Sequence, residues 1–98
     1  MLVNVIKTYR DVVAVCDKEL LGKKFEEDKF QLDIKESFYK GKETSEEDLI
    51  KIMKSFSRED ATFNIVGKKS VATAVKAGIV SEDDVRKIKG IPFVLIFL

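Results

Sequence analysis

Histidine and tryptophan are both absent from this 98-residue chain, which contains a single cysteine, Cys16. Without histidine the chain cannot form a Ser-His-Asp triad, a Cys-His dyad or a histidine-containing zinc site. One cysteine can form neither an intrachain disulfide nor a thiolate cluster for zinc or iron–sulfur. These absences exclude a large share of catalytic chemistries, and we expect no metal and no cofactor.

Long apolar runs are also missing. The longest, residues 91–98, is far shorter than the roughly 20 residues that span a bilayer. Lys7 and Arg10 interrupt the first apolar stretch before it reaches the length of a secretory signal. A lone cysteine suits a reducing compartment. We therefore expect a cytoplasmic protein with no membrane partner.

Amide side chains are scarce, because Gln31, Asn4 and Asn64 are the only ones, whereas charged residues make up 36% of the chain. This profile resembles that of thermophile proteins. The net charge of +1 conceals an asymmetry, since residues 50–98 carry nine basic and five acidic side chains. That excess is too small for a strongly basic nucleic-acid binder, but it permits a local basic face.

Apolar periodicity and turn signals predict a mixture of strands and helices. Strand patterns cover residues 2–9, 12–16, 30–35, 61–66 and 93–98, the last buried on both faces, and helical patterns cover 17–22, 45–56, 69–77 and 81–87. Arg10-Asp11 would form a tight hairpin turn, Asp17 would cap the turn that follows it, and Ser45 with Asp48 would begin the longest helix. We therefore expect one domain, residues 1–98. Its fold would be an α+β two-layer sandwich with a mixed or mostly antiparallel sheet of about four to five strands and two to three helices.

The segment from Asn64 to Ser70 places Gly67, Lys68 and Lys69 at the start of a predicted helix. Free backbone N–H groups and the helix dipole attract anions at such a position, and lysines add formal charge. It lacks the first glycine of a P-loop. The alternative is an ordinary strand-to-helix turn with solvated lysines.

Lysines recur at predicted turns and helix ends, where they could form a phosphate-binding patch without base specificity. Tyr39 beside Lys40 could stack on a base, although such aromatics more often cover the edge of a core. Scattered surface lysines that confer solubility are the alternative. The candidate anion- or RNA-binding residues are Lys23, Lys24, Tyr39, Lys40, Asn64, Gly67, Lys68 and Lys69.

Other chemistry-bearing residues have simpler explanations. Asp17 disfavours a thiolate at Cys16, so we expect Cys16 to be a small buried hydrophobic residue. Acidic clusters occur at residues 26–28 and 46–48, but neither has the spacing of a calcium loop. The second cluster is typical of the first turn of a helix.

Four segments together resemble a small archaeal family known as domain of unknown function four-two-four. They are residues 12–23, with the run Cys-Asp-Lys-Glu-Leu-Leu-Gly-Lys, and residues 37–41, 64–67 and 77–78. The resemblance implies a two-layer α+β fold and an archaeal source, but no reaction. It also implies that Asp17, Glu19 and Gly22 belong to a shared surface, although capping and turn roles would account for them as well.

Three functional hypotheses follow. The preferred one is a non-catalytic module that binds RNA or a ribonucleoprotein, because the second half is basic and catalytic residue types are missing. The second is a protein-interaction or homodimerisation module that acts through edge strands. The third is an enzyme that uses carboxylates and Lys23.

Overall fold

The computed structural model describes residues 1–97, which fold into eight strands, three α-helices and two 3₁₀ turns. The strands are β1 (Leu2–Ile6), β2 (Val12–Cys16), β3 (Lys24–Glu27), β4 (Phe30–Asp33), β5 (Lys42–Glu43), β6 (Thr62–Val66), β7 (Arg86–Ile88) and β8 (Ile91–Ile96). The helices are α1 (Glu36–Tyr39), α2 (Glu46–Arg58) and α3 (Lys68–Lys76), and the 3₁₀ turns are Lys18–Leu20 and Glu82–Asp84. The predicted α+β class is confirmed. None of the helices described is long and apolar enough to cross a membrane.

Six strands form one mixed sheet in the order β5-β1-β2-β6-β8-β7. The central pair, β2 and β6, is parallel, with Val13 opposite Phe63, and the other neighbours are antiparallel. The sheet has more strands than the predicted four to five because β5 and β7 contain only two and three residues. Segments that short carry no periodic signal.

One face of the sheet is covered by α2 and α3. Leu49 and Met53 of α2 and Ala74 of α3 pack, fully buried, against side chains such as Phe63 and Ile65 from β6. The start of α2 is as predicted, since the Ser45 Oγ accepts a hydrogen bond from the Asp48 N–H at 3.2 Å. Sheet and helices together give the predicted two-layer arrangement.

The other face is partly covered by the β3–β4 hairpin and α1, a third partial layer that the sequence did not predict. Leu32 and Ile34 from the hairpin and Tyr39 from α1 bury Cys16 and Val66. The hairpin turns at Asp28, which adopts a φ of 55°. Its first strand was missed because only Phe25 among residues 24–27 is apolar.

Three local predictions are wrong. The loop between β1 and β2 spans residues 7–11 rather than two residues, because none of its residues is a glycine that would favour a tight turn. Residues 81–87 form no α-helix: the Ser81 Oγ caps only the 3₁₀ turn, accepting from the Asp83 N–H at 3.2 Å, and β7 follows. Finally, β8 is not covered on both faces, since Leu95 is 50% exposed; Leu98 of the predicted strand lies outside the described residues.

Cys16 and Tyr39 are two ionisable side chains in the hairpin-side core. Burial, assisted by the adjacent Asp17 carboxylate, raises the pKa of the Cys16 thiol to about 11. Burial, with a smaller contribution from Cys16, raises the pKa of Tyr39 to about 12. The expectation that Cys16 is a buried packing residue is confirmed.

We expect the protein to lose stability in alkali. A pKa that is higher in the folded state gives stability that is complete below the unfolded pKa, about 8.5 for cysteine and 10 for tyrosine, and is lost as the pH rises through the folded pKa. Each group contributes about 3 kcal/mol in this way. Urea unfolding from pH 8 upward should show a falling free energy of unfolding above about pH 9. In Tyr39→Phe the decrease in the free energy of unfolding above about pH 10 should be smaller. A free energy of unfolding that does not change with pH in the native protein would contradict the raised pKa values.

Candidate functional site

Asp17 follows β2 directly and is only 3% exposed, yet its carboxylate has a complete set of partners. Its Oδ1 accepts hydrogen bonds from the Ser70 N–H at 2.8 Å and the Ser70 Oγ at 2.7 Å, and its Oδ2 accepts from the Lys69 N–H at 3.1 Å. Asp17 therefore caps α3, which begins 51 residues further along the chain. The prediction that it caps its own turn is wrong, because its side chain makes no capping bond there.

Gly67 makes this contact possible. It precedes α3 with a φ of 111°, and a Cβ at this position would lie 2.3 Å from the Asp17 Cγ. Its N–H donates to the Pro92 carbonyl at 2.8 Å, which ties the start of α3 to β8 as well. The requirement for glycine comes from the close approach of Asp17, and Gly67 itself is buried.

The occupied helix start corrects one expectation about anion binding. We expected free N–H groups at this position, but Asp17 accepts hydrogen bonds from those of Lys69 and Ser70. A second anion would also be repelled by the Asp17 carboxylate. What remains available is the pair of exposed side chains, Lys68 and Lys69.

The shared motif run has a structural role along most of its length. Leu20 is buried in the hairpin-side core, and Gly22, with a φ of 82°, donates its N–H to the Ile34 carbonyl at 2.8 Å. The Lys23 carbonyl accepts from the Ile34 N–H at 2.9 Å. The run therefore joins β2 to both the hairpin and α3. The Glu19 side chain is exposed. The Asp17 side chain, which we also expected on the surface, is buried.

The remaining candidates separate into buried and exposed groups. Tyr39 is 7% exposed and stands edge-on to Phe38, with ring centroids 5.0 Å apart, so stacking on a base is excluded. Asn64 is half-buried on β6. Lys24 is exposed and lies 3.8 Å from Glu26 Oε1. Lys40 is exposed directly after α1.

The predicted lysines do not all converge. Lys68 lines a groove with Lys87 and a smaller cavity with Lys69, and the linings of these two cavities include none of Lys23, Lys24 and Lys40. No grouping of three or more acidic or cysteine side chains that could hold a metal occurs in this part of the chain either. The third hypothesis, an enzyme based on Lys23, gains no supporting geometry from these residues.

A different set of basic residues lines neighbouring cavities at the side of the sheet where β7 is the edge strand. Lys68 and Lys87 line a groove of about 440 Å³ between α3 and β7. Arg86 and Lys87 line a cleft of about 270 Å³ under the tip of the hairpin. Lys68 and Lys69 also line a cavity of about 180 Å³ beside Glu19. We call Lys68, Lys69, Arg86 and Lys87 the basic edge.

Aromatic side chains lie beside the basic edge. Phe30, in the cleft with Arg86, is 69% exposed, and Phe93 also lines the cleft. Acidic groups are also present, because Glu82 lines the groove and Glu27 lines the cleft. The Glu27 Oε1 is engaged by the Lys89 N–H at 2.6 Å. Within residues 1–97, the side chains of the basic edge form no ion pair.

Arg86, Phe30 and Phe93 were not predicted as site residues. Residues 81–87 were assigned to a helix, and the two phenylalanines were assigned to the strand patterns 30–35 and 93–98. The missed signal is Lys89-Gly90 between two isoleucines. Two positive-φ residues between β-formers favour a two-residue hairpin, and here Lys89 and Gly90 have φ values of 52° and 75°. A hairpin predicted at Lys89-Gly90 would have placed Arg86 and Lys87 on a strand.

We expect Asp17→Ala to destabilise the fold by about 2–4 kcal/mol, because it leaves buried donors at Lys69 and Ser70 without an acceptor. The matched control, Glu19→Ala, removes an exposed carboxylate two residues away and should change stability by less than about 0.5 kcal/mol. Urea unfolding monitored by circular dichroism measures both. Equal effects of the two substitutions would contradict the capping role.

Comparison with known proteins agrees with this architecture. The fold is similar to that in the crystal structure of an uncharacterized conserved protein from Methanopyrus kandleri, with a TM-score of 0.85 and 28% sequence identity, over 98% of this chain and 89% of that one. A search of curated proteins finds no match. The family described as "Protein of unknown function (DUF424)" matches residues 6–98. The chain therefore belongs to the DUF424 family.

Proposed function

We propose that this protein binds RNA through the basic edge, with affinity that comes mainly from phosphate contacts. The observation that carries the proposal is that four basic side chains surround one edge of the sheet, with none in an ion pair within residues 1–97. Lys68 and Lys87 share the groove, and Arg86 lines the cleft that contains the exposed ring of Phe30. Lysine and arginine side chains that neutralise phosphates release counterions, which supplies sequence-independent affinity.

The arrangement gives each side chain a distinct contribution. Lys68 projects from α3 and Lys87 from β7 into one groove, so two elements present charge to the same stretch of backbone. Arg86 lies opposite Phe93 in the β7–β8 register and shares the cleft with Phe30. An exposed ring next to a guanidinium offers a stacking surface for an unpaired base. Single-stranded or looped RNA therefore fits this surface better than a regular duplex.

Edge protection is an alternative explanation for the charges on β7. Charged residues on an edge strand hinder edge-to-edge association. Edge protection alone requires no aromatic ring and no contribution from α3, whereas RNA binding uses Lys68 and Phe30. Measurements on RNA separate the two roles.

We expect weak, salt-dependent binding to a fluorescently labelled oligouridine. The log of the binding constant should fall with the log of salt concentration by about 0.7 for each phosphate neutralised on a single strand. Lys68→Ala with Lys87→Ala should flatten that slope by about one to two units. Phe30→Ala should weaken binding about tenfold with little change in slope, because stacking carries no counterion. Fluorescence anisotropy across a salt series measures each quantity.

A matched control is the pair Lys51→Ala with Lys54→Ala, which removes the same charge from the exposed surface of α2. This control should change the slope less than the basic-edge pair does. Lys23→Ala with Lys40→Ala tests the dispersed lysines that the sequence predicts as phosphate contacts. Absence of binding at low ionic strength by folded protein would overturn the proposal, as would equal slopes for the basic-edge and α2 pairs.

A further inference from the structure

Part of β8 has an open edge. On one side β8 pairs with β6 from Phe93 to Ile96, but on the other side β7 reaches only as far as Phe93, opposite Arg86. The chain before β7 turns away into the 3₁₀ turn Glu82–Asp84. A groove of about 380 Å³ lies along the unpaired part of β8, and its other lining residues are Ile79, Val80, Asp83, Asp84 and Arg86.

Leu95 directs its backbone N–H and C=O into this groove. The Pro92 carbonyl accepts from Gly67 beyond the end of β6, so Pro92 faces the β6 side. The backbone polar groups of successive residues in a strand alternate between the two edges. Phe93 therefore faces β7, as its pairing with Arg86 requires, and Leu95 and Phe97 face the open side.

The open segment lacks the charges that protect the other edges. The outer strands present Lys42 and Glu43 on β5, and Arg86 and Lys87 on β7. By contrast, residues 91–97 contain no charged side chain, although charged residues make up 36% of the chain. Leu95 and Phe97 are 50% and 72% exposed. An uncharged, apolar open edge is a template for strand pairing.

We propose that this open edge is a homodimer interface, in which two copies of β8 pair antiparallel about a two-fold axis at Ile96. A strand antiparallel to β8 enters the groove in line with β7. An axis at Leu95 would place Phe97 of the second copy opposite Phe93. The outward N–H and C=O groups of Phe93 already pair with Arg86, so this register is blocked. An axis at Ile96 instead pairs Leu95 of each copy with Phe97 of the other.

This pairing satisfies the groups that are exposed in one copy. The outward N–H and C=O of Leu95 exchange hydrogen bonds with those of Phe97 in the second copy, and the reverse pair does the same. Side chains of both residues lie on the face opposite the buried Val94, so a two-fold axis normal to the sheet brings them together on one face. Asp83, Asp84 and Arg86 also line the groove, but residues 91–97 of β8 carry no charged side chain. The paired segments of two copies therefore meet without like-charge repulsion, which suits pairing of this segment with itself.

The short contact predicts a weak dimer. Stable complexes bury about 800 Å² on each partner, and an interface built on three residues of each strand is smaller. We therefore expect dimerisation in the micromolar range or above. In sedimentation-velocity experiments the native protein should shift from monomer to dimer with concentration, and Leu95→Arg should remain monomeric. Tyr9→Arg, which adds the same charge at a fully exposed loop position, should dimerise like the native protein.

A cysteine at the axis tests the register. Ile96 directs its polar groups toward β6, so Ile96 and its copy form a non-hydrogen-bonded pair with Cα atoms about 4.5 Å apart. That separation permits a disulfide. With oxidised glutathione, Ile96→Cys should yield a covalent dimer on a non-reducing gel, whereas Ser55→Cys on the exposed side of α2 should not at the same concentration.

The outcomes are decisive for folded protein, which circular dichroism verifies for each variant. A native chain that stays monomeric to millimolar concentration would overturn the proposal. Dimerisation that Leu95→Arg leaves intact, or equal crosslinking of Ile96→Cys and Ser55→Cys, would assign the interface elsewhere and overturn it too. Addition of oligouridine provides a separate readout, because Leu95→Arg leaves Lys68, Lys87 and Phe30 in place.

Discussion

The bond between Asp17 and the start of α3 is the constraint on which most of the architecture depends. It joins the ends of the two central strands, because Asp17 follows β2 and Ser70 follows β6 by four residues. A buried carboxylate is costly unless hydrogen bonds compensate, and three donors do so here. The helix dipole of α3 and its first backbone N–H donors both stabilise the negative charge of the Asp17 carboxylate. The position of α3 over the sheet is thereby fixed, and with it the position of Lys68.

The two proposed surfaces arise from the way the sheet ends on its β8–β7 side. Because β7 is short, it protects only part of β8 and carries its charge over that part. The side chains proposed to bind phosphate therefore lie next to β7, where α3 and the hairpin tip approach it. Beyond Arg86 the basic residues stop, Asp83 and Asp84 follow in the 3₁₀ turn, and the uncharged open part of β8 lies beside them. One short strand thus separates a basic surface from the open edge.

Elements with a strong hydrophobic periodicity were predicted correctly from the sequence, whereas elements defined by long-range contacts were not. The α2 helix was predicted with its cap because Ser45 and Asp48 are three residues apart and interact locally. The β3 and β7 strands were missed, since both are short, mostly charged and held by packing against other layers. Burial of Cys16 was predicted correctly, because it ends an apolar strand and its neighbour Asp17 disfavours a thiolate. The role of Asp17 could not be predicted, because its partners are 52 and 53 residues away.

These long separations also bear on how the chain folds. The strand at the centre of the sheet, β6, begins at residue 62, and its two neighbours come from opposite ends of the sequence. Loop closure on that scale costs entropy before native contacts repay it, which slows folding. During synthesis, the β1–β2 hairpin would leave the ribosome with Asp17 still without its donors, and the sheet could close only when β8 had emerged. The order of the strands therefore makes folding late and cooperative rather than progressive from the amino terminus.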